Sequence, residues 1–210
     1  MSEPKARAKS LKTVVPGVYT WSVLDERIGG SASDAHAVVE RKSVVLIDPL
    51  PLSRAAEAAL GKLGEVEAIL LTGSWHQRSA WRYRDKFGAK VFAPRGAEGL
   101  EGKPDRWYKK GDKLPGGLVA VHTPGPTEAL YGFFRPSGGG VFFSSDVLIR
   151  VGRGKVSFLP EAYQENPKKS RTTVKKLLGL KFKTICFGHG RPLKSLARRT
   201  VAAAIKADNK

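Results

Sequence analysis

Four histidines, one cysteine and a scatter of carboxylates are the side chains here that can move protons or hold a metal. The stretch from Ile69 to Ala80, ILLTGSWHQRSA, sets His76 just beyond an apolar run and a small flexible joint. Two other apolar runs end in a carboxylate: VVLID delivers Asp48 and VFFSSD delivers Asp146. Open α/β sheets expose site residues at the carboxyl ends of their strands, so both are candidates, with capping of the following turn as the structural alternative. A third run ends in FGHG, where glycines on both sides leave the His189 imidazole uncrowded. His122, in AVHTPG, reads as a sheet-packed or surface residue. Cys186, in the apolar TICF, reads as a buried inert thiol; alone it makes neither an internal disulfide nor a Cys-based zinc cluster.

The elements that must position these groups alternate in type. GVYTWSVL, HAVVER and SVVLIDP read as an early cluster of strands, rich in β-branched and aromatic residues. A helix is expected from about Ser53 to Gly61, then a buried strand EAILLT, then a second helix from Ser74 to about Phe87 that Gly88 ends. Ser74 to Gln77 fits a capping box at that helix start. AKVFAP, LVAVHTP, YGFFRP and GVFFSSDVL read as strands, with the turn-rich KKGDKLPGG between the first two. Asn166 followed by Pro167 opens a helix to about Gly179, KTICF is a last strand, and PLKSLARRTVAAAIKAD closes the chain as a basic amphipathic helix. The fold class is α/β.

At 210 residues, 41% hydrophobic and 27% charged, the chain suits one compact domain. The first dozen residues are basic and lack the apolar core of a secretory signal, and no apolar stretch approaches a membrane span, so a cytoplasmic protein without a membrane partner is expected. The net charge is +18, and +12 of it falls between Val151 and Lys210, where fifteen Lys and Arg face three acidic residues. Such an excess attracts polyanions or merely solvates a surface. RPSGGGV is a hairpin loop rather than a phosphate cradle, because no P-loop Lys-Ser/Thr follows. There is no Gly-x-Ser-x-Gly elbow to supply a serine nucleophile.

From about Gly17 to Leu193 the order of pieces resembles the metallo-β-lactamase superfamily: the strand ending in Asp48, the strand and Thr72 leading into a helix, TPG at Thr123 to Gly125, FFSSD at Phe142 to Asp146, and GHG at Gly188 to Gly190. The resemblance implies a four-layer αββα sandwich, set over residues 13–210, and the basic composition of residues 1–12 marks a flexible tail before it. It also implies a site along one edge, which in the family usually holds two metal ions, commonly zinc, that activate a water for hydrolysis.

The family's Thr-His-x-His-x-Asp-His signature falls on Thr72, and its ligand positions then hold Gly73, Trp75, Gln77 and Arg78. Pro126 stands where the next ligand, a His after Pro-Gly, belongs. Only Asp146 and His189 match, two of seven positions. A catalytic zinc takes three protein ligands and a water, so the dinuclear centre cannot form. WH-x-R after LLT resembles members of the superfamily that lack the metal signature. The cleft candidates are therefore Asp48, Trp75, His76, Gln77, Arg78, Asp146 and His189, with His36 at a strand start that borders the site in the family. Trp75 is expected to wall the former metal cleft and Trp81 to join the core. Arg78 puts a fixed positive charge at a ligand position, where it pairs with Asp146 or binds an anion.

The expected function is that of a noncatalytic pseudoenzyme or binder of a small anionic ligand, with no cofactor. One alternative is a hydrolase of an ester, thioester or phosphoester that uses a single zinc or other divalent ion at low occupancy, on His76, Asp146 and His189. Another is nucleic-acid binding through the basic carboxyl-terminal region.

Overall fold

The computed structural model describes residues 3–151 and 154–208. They form two compact units, Met1–Tyr108 with Leu114–Gly117, and Lys109–Lys113 with Leu118–Lys210. The length alone suggested one domain; the division arises because each unit builds its own sheet and its own apolar core.

The first unit carries a seven-stranded sheet in chain order: β1 (Lys12–Val15), β2 (Val18–Asp25), β3 (Ser31–Glu40), β4 (Ser43–Ile47), β5 (Glu65–Leu70), β6 (Lys90–Pro94) and β7 (Arg106–Tyr108). The strands are antiparallel up to β4 and parallel from β4 to β7. That change follows from the connections, since tight turns join β2 to β3 and β3 to β4, whereas helices α1 (Arg54–Gly61) and α2 (Ala80–Phe87) carry the chain back between parallel strands. Ser53 caps α1 through its side chain, accepting from the Ala56 amide. Leu46, Leu50, Leu60, Ile69, Tyr83 and Val91 close the core. The two large polar-tipped aromatics are paired inside it: Trp21 donates to the Leu50 carbonyl at 2.9 Å, and the Tyr83 hydroxyl accepts from the Leu52 amide at 2.9 Å.

The segment expected as a flexible tail is pinned over its described part. Ala8, itself buried, donates to Pro51 and accepts from Ser53, both at 2.9 Å. Glu3 accepts from Ser79 and Arg82 at 2.9 Å, so two backbone bonds and a charged pair hold residues that composition alone left loose.

The second unit carries β8 (Lys113–Leu114), β9 (Leu118–His122), β10 (Tyr131–Arg135), β11 (Val141–Phe143) and β14 (Thr184–Cys186) in the order β14-β11-β10-β9-β8, together with a ribbon of β12 (Ile149–Val151) and β13 (Lys155–Ser157). Helices α3 (Pro167–Leu177) and α4 (Ala197–Ala207) close a core of Phe142, Phe182, Ile185 and Phe187 with Val174, Leu177 and Val201. Asn166 caps α3, accepting from the Lys169 amide at 2.9 Å, with Pro167 at the first helical position. The closing helix is shorter than its periodicity suggested. Leu196 sits at φ +55°, a left-handed conformation that cannot continue a helix backward, so α4 begins at Ala197. Arg171 on α3 donates to Asp208, just past α4, at 2.6 Å and to Glu161 at 2.7 Å.

One buried carboxylate at the end of β2 contributes to the acid response of the first unit. Burial alone would raise the Asp25 pKa, but hydrogen bonds from Arg27 and Ser33 outweigh it and hold the group at about 2, below its ordinary 3.8. The folded-state pKa lies below the unfolded one. The resulting stabilisation, about 2 kcal/mol, is therefore complete above about pH 4 and lost as pH falls through about 2. Asp25→Asn is expected to flatten the acid limb of stability by about that amount, read as urea midpoints at a series of pH values.

Candidate functional site

Asp48, Trp75, His76, Gln77 and Arg78 lie in the first unit, Asp146 and His189 in the second. In the first unit β4 and β5 are parallel neighbours with Ile47 opposite Leu70, so their carboxyl ends bring Asp48 beside Thr72. The Asp48 carboxylate accepts from the Thr72 amide at 2.8 Å, and its other oxygen from the Thr72 hydroxyl at 2.6 Å. That second oxygen also lies 3.0 Å from His76 Nδ1, and the Thr72 hydroxyl is 2.8 Å from the same nitrogen. A carboxylate only accepts, so Nδ1 carries the proton toward it, and Nε2 becomes the basic nitrogen of the ring. All three residues are buried.

The segment after Thr72 departs from the expected helix start. A single 3₁₀ turn spans Ser74–His76, and α2 begins only at Ala80. The capping box at Ser74 and Gln77 does not form: Gly73 occupies the cap position without a side-chain bond. The Gln77 amide instead accepts from Trp81 Nε1 at 2.8 Å and from the Glu101 amide at 2.7 Å, and donates to the Gly99 carbonyl at 3.2 Å. Tertiary partners outcompeted the local cap. Trp75, expected to wall the former metal cleft, is 57% exposed, whereas Trp81 packs against the core as expected. Arg78 is buried, and its guanidinium donates to the Asp34 carbonyl at 2.9 Å and the Asp48 carbonyl at 3.3 Å. Asp48 and Arg78 have φ of +47° and +36°, left-handed values that non-glycine residues adopt at a cost.

In the second unit β11 and β14 run parallel, with Val141 opposite Thr184 and Phe143 opposite Cys186. The same offset carried three residues past each strand pairs Asp146 with His189, and His189 Nε2 stands 3.4 Å from Asp146 Oδ1. Ser145, the residue before Asp146, is another left-handed non-glycine, at φ +50°. Gly190 is obligatory after His189: at φ +113° a Cβ would stand 2.1 Å from the Arg150 carbonyl oxygen.

The remaining candidates are placed more simply. His36 is buried on β3 in the first unit. His122 lies on β9, 2.7 Å from the Glu128 carbonyl, its ring packed on Tyr131. Cys186 is a buried free thiol. Sequence reasoning missed Thr72 as a working side chain, although its position two residues past an apolar strand is the available signal. It also missed the Asp34 carbonyl as a support for Arg78, which only the pairing of β3 brings within reach.

The chain belongs to the metallo-beta-lactamase superfamily, whose family model matches residues 8–199. It is similar to the solved structure of DIM-1 metallo-beta-lactamase, with a TM-score of 0.75 at 13% identity over 96% of this chain and 99% of that one. A metallo-beta-lactamase family protein from Thermus thermophilus gives a TM-score of 0.66 at 20% identity, covering 93% of this chain and 80% of that one. The B3 metallo-beta-lactamase BLEG-1 gives 0.65 at 20% identity, over 86% and 95%. Comparison with curated proteins gives no match. The α/β fold expected from the order of motifs is thus the metallo-β-lactamase fold.

The family's pair of metal ions does not fit the signature segment of this chain. Gly73 offers no side chain, Trp75 points to solvent, the Gln77 amide is committed to Trp81, Glu101 and Gly99, and Arg78 is a cation. What this segment holds is an oriented imidazole and an oriented positive charge. Asp48→Asn is expected to destabilise the protein by about 2–4 kcal/mol in urea titration, because the amide nitrogen takes the place of the oxygen that accepts from Thr72 and faces His76. Asn tolerates positive φ as well as Asp does, so the loss reports the acceptor and not the backbone.

Proposed function

We propose that this protein is a noncatalytic member of the superfamily that binds a small anionic ligand through Arg78. The observation that carries this reading is the guanidinium itself, held at a metal-ligand position of the signature by two backbone carbonyls. The carbonyls orient the group, and a planar cation with five donors recognises carboxylate or phosphate oxygens where a metal would otherwise do so. Left-handed backbone at Asp48 and Arg78 supports a functional rather than incidental geometry, since strain of this kind collects at ligand sites.

A hydrolase working with one divalent ion is the second reading. It is favoured by the Asp48 contact to His76 Nδ1, because metal-bound histidines commonly present one nitrogen while a carboxylate holds the other. Its donor types are those of His76, Asp146 and His189, and the ion would activate a water for attack on an ester, thioester or phosphoester.

Elemental analysis of protein purified without chelator separates the two. Zinc, iron and manganese far below one equivalent, with phosphate raising the melting temperature of the native protein but not of Arg78→Gln, are expected. Near-stoichiometric metal, with ester turnover lost in His189→Ala and in chelator, would instead establish the hydrolase.

A further inference from the structure

The last quarter of the chain carries a charge pattern that the site above does not use. From Pro167 to Ala207 there are twelve Lys and Arg and no acidic residue. Among the described residues, Lys169 pairs with Glu128 and Arg171 with Glu161 and Asp208, acids from outside that stretch. The second unit folds others to one place. Lys175 and Lys176 end α3; Arg198, on the first turn of α4, donates to the Leu178 carbonyl at 2.7 Å just beyond that end. Lys183 lies alongside, its carbonyl accepting from the Ala197 amide at 3.4 Å and its amide donating to Gly140 at 3.0 Å. Lys181 is two residues away on the same connection, and all five side chains are exposed.

We infer that this cluster, Lys175, Lys176, Lys181, Lys183 and Arg198, is a docking surface for the phosphate backbone of duplex nucleic acid. Holding five like charges together on a folded surface costs repulsion, and a partner with closely spaced phosphates relieves it while releasing condensed counterions. Recognition is of backbone rather than bases, because the aromatic side chains between Pro167 and Ala207, Phe182 and Phe187, are buried in the core. A lipid surface fits less well. The apolar side of α4, Ala197 and Val201, is spent on the core, and Leu196 is the only large apolar side chain exposed among the described residues of this stretch. The inference is independent of the ligand assigned to Arg78.

The test is fluorescence anisotropy of a labelled DNA duplex with the full chain across a salt series. Five phosphate contacts predict a slope of log affinity against log salt of about −4.5. The triple variant Lys175→Gln/Lys176→Gln/Lys181→Gln is expected to reduce that slope by about 2.7 and to weaken binding at low salt at least about tenfold. Lys9→Gln/Lys62→Gln/Lys90→Gln removes the same charge from exposed positions of the first unit and is expected to leave slope and affinity unchanged. Melting temperatures verify that both variants fold. Equal loss in the two triples would mean that net charge alone drives binding and would overturn the surface. So would absence of binding at low salt, or binding to phosphatidylserine-rich vesicles without binding to the duplex.

Discussion

The first unit is organised around one carboxylate that has to be satisfied where two parallel strands end. Asp48 cannot continue β4, and buried without partners it would cost several kcal/mol. Thr72 supplies a donor to each oxygen and His76 faces one of them, so the ends of β4 and β5 and the 3₁₀ turn beyond are fixed by a single carboxylate. Arg78 then reaches back to the Asp48 carbonyl and across to β3. The positive φ values at Asp48 and Arg78 are the backbone cost of that convergence.

The segment after Thr72 is held within its own unit as well. In the family, ions commonly tie the segment after the Thr to the rest of the site. Here hydrogen bonds within the segment's own unit hold it: Gln77 to Trp81, Glu101 and Gly99, and Arg78 to the carbonyls of Asp34 on β3 and of Asp48 just past β4. Neutral and cationic donors thus keep the loop in place in this chain.

Charge is distributed on a different principle. Helix ends and a connection of the second unit gather part of its excess of Lys and Arg near one another. The acids that do occur near it, Glu128, Glu161 and Asp208, are spent on Lys169 and Arg171.

Much of this was legible in the residues alone. Continuous apolar runs marked β4, β5 and β11, and the Ser53, Asn166 and Pro167 signals marked helix starts, because caps and buried strands depend on neighbours a few positions away. The absence of His-x-His-x-Asp-His was likewise a matter of reading letters, and so was the candidacy of Asp48, Asp146 and His189. Other features rested on partners distant in sequence. A local capping box lost to Gly99 and Glu101, a basic tail was pinned by Pro51 and Ser53, and Leu196 turned left-handed to shorten a helix whose pattern began earlier. The sequence determined the donors, acceptors and charges available; the tertiary structure decided which of them met, since a hydrogen bond needs about 3 Å and only the packed strands bring residues 24 or 28 positions apart to that distance.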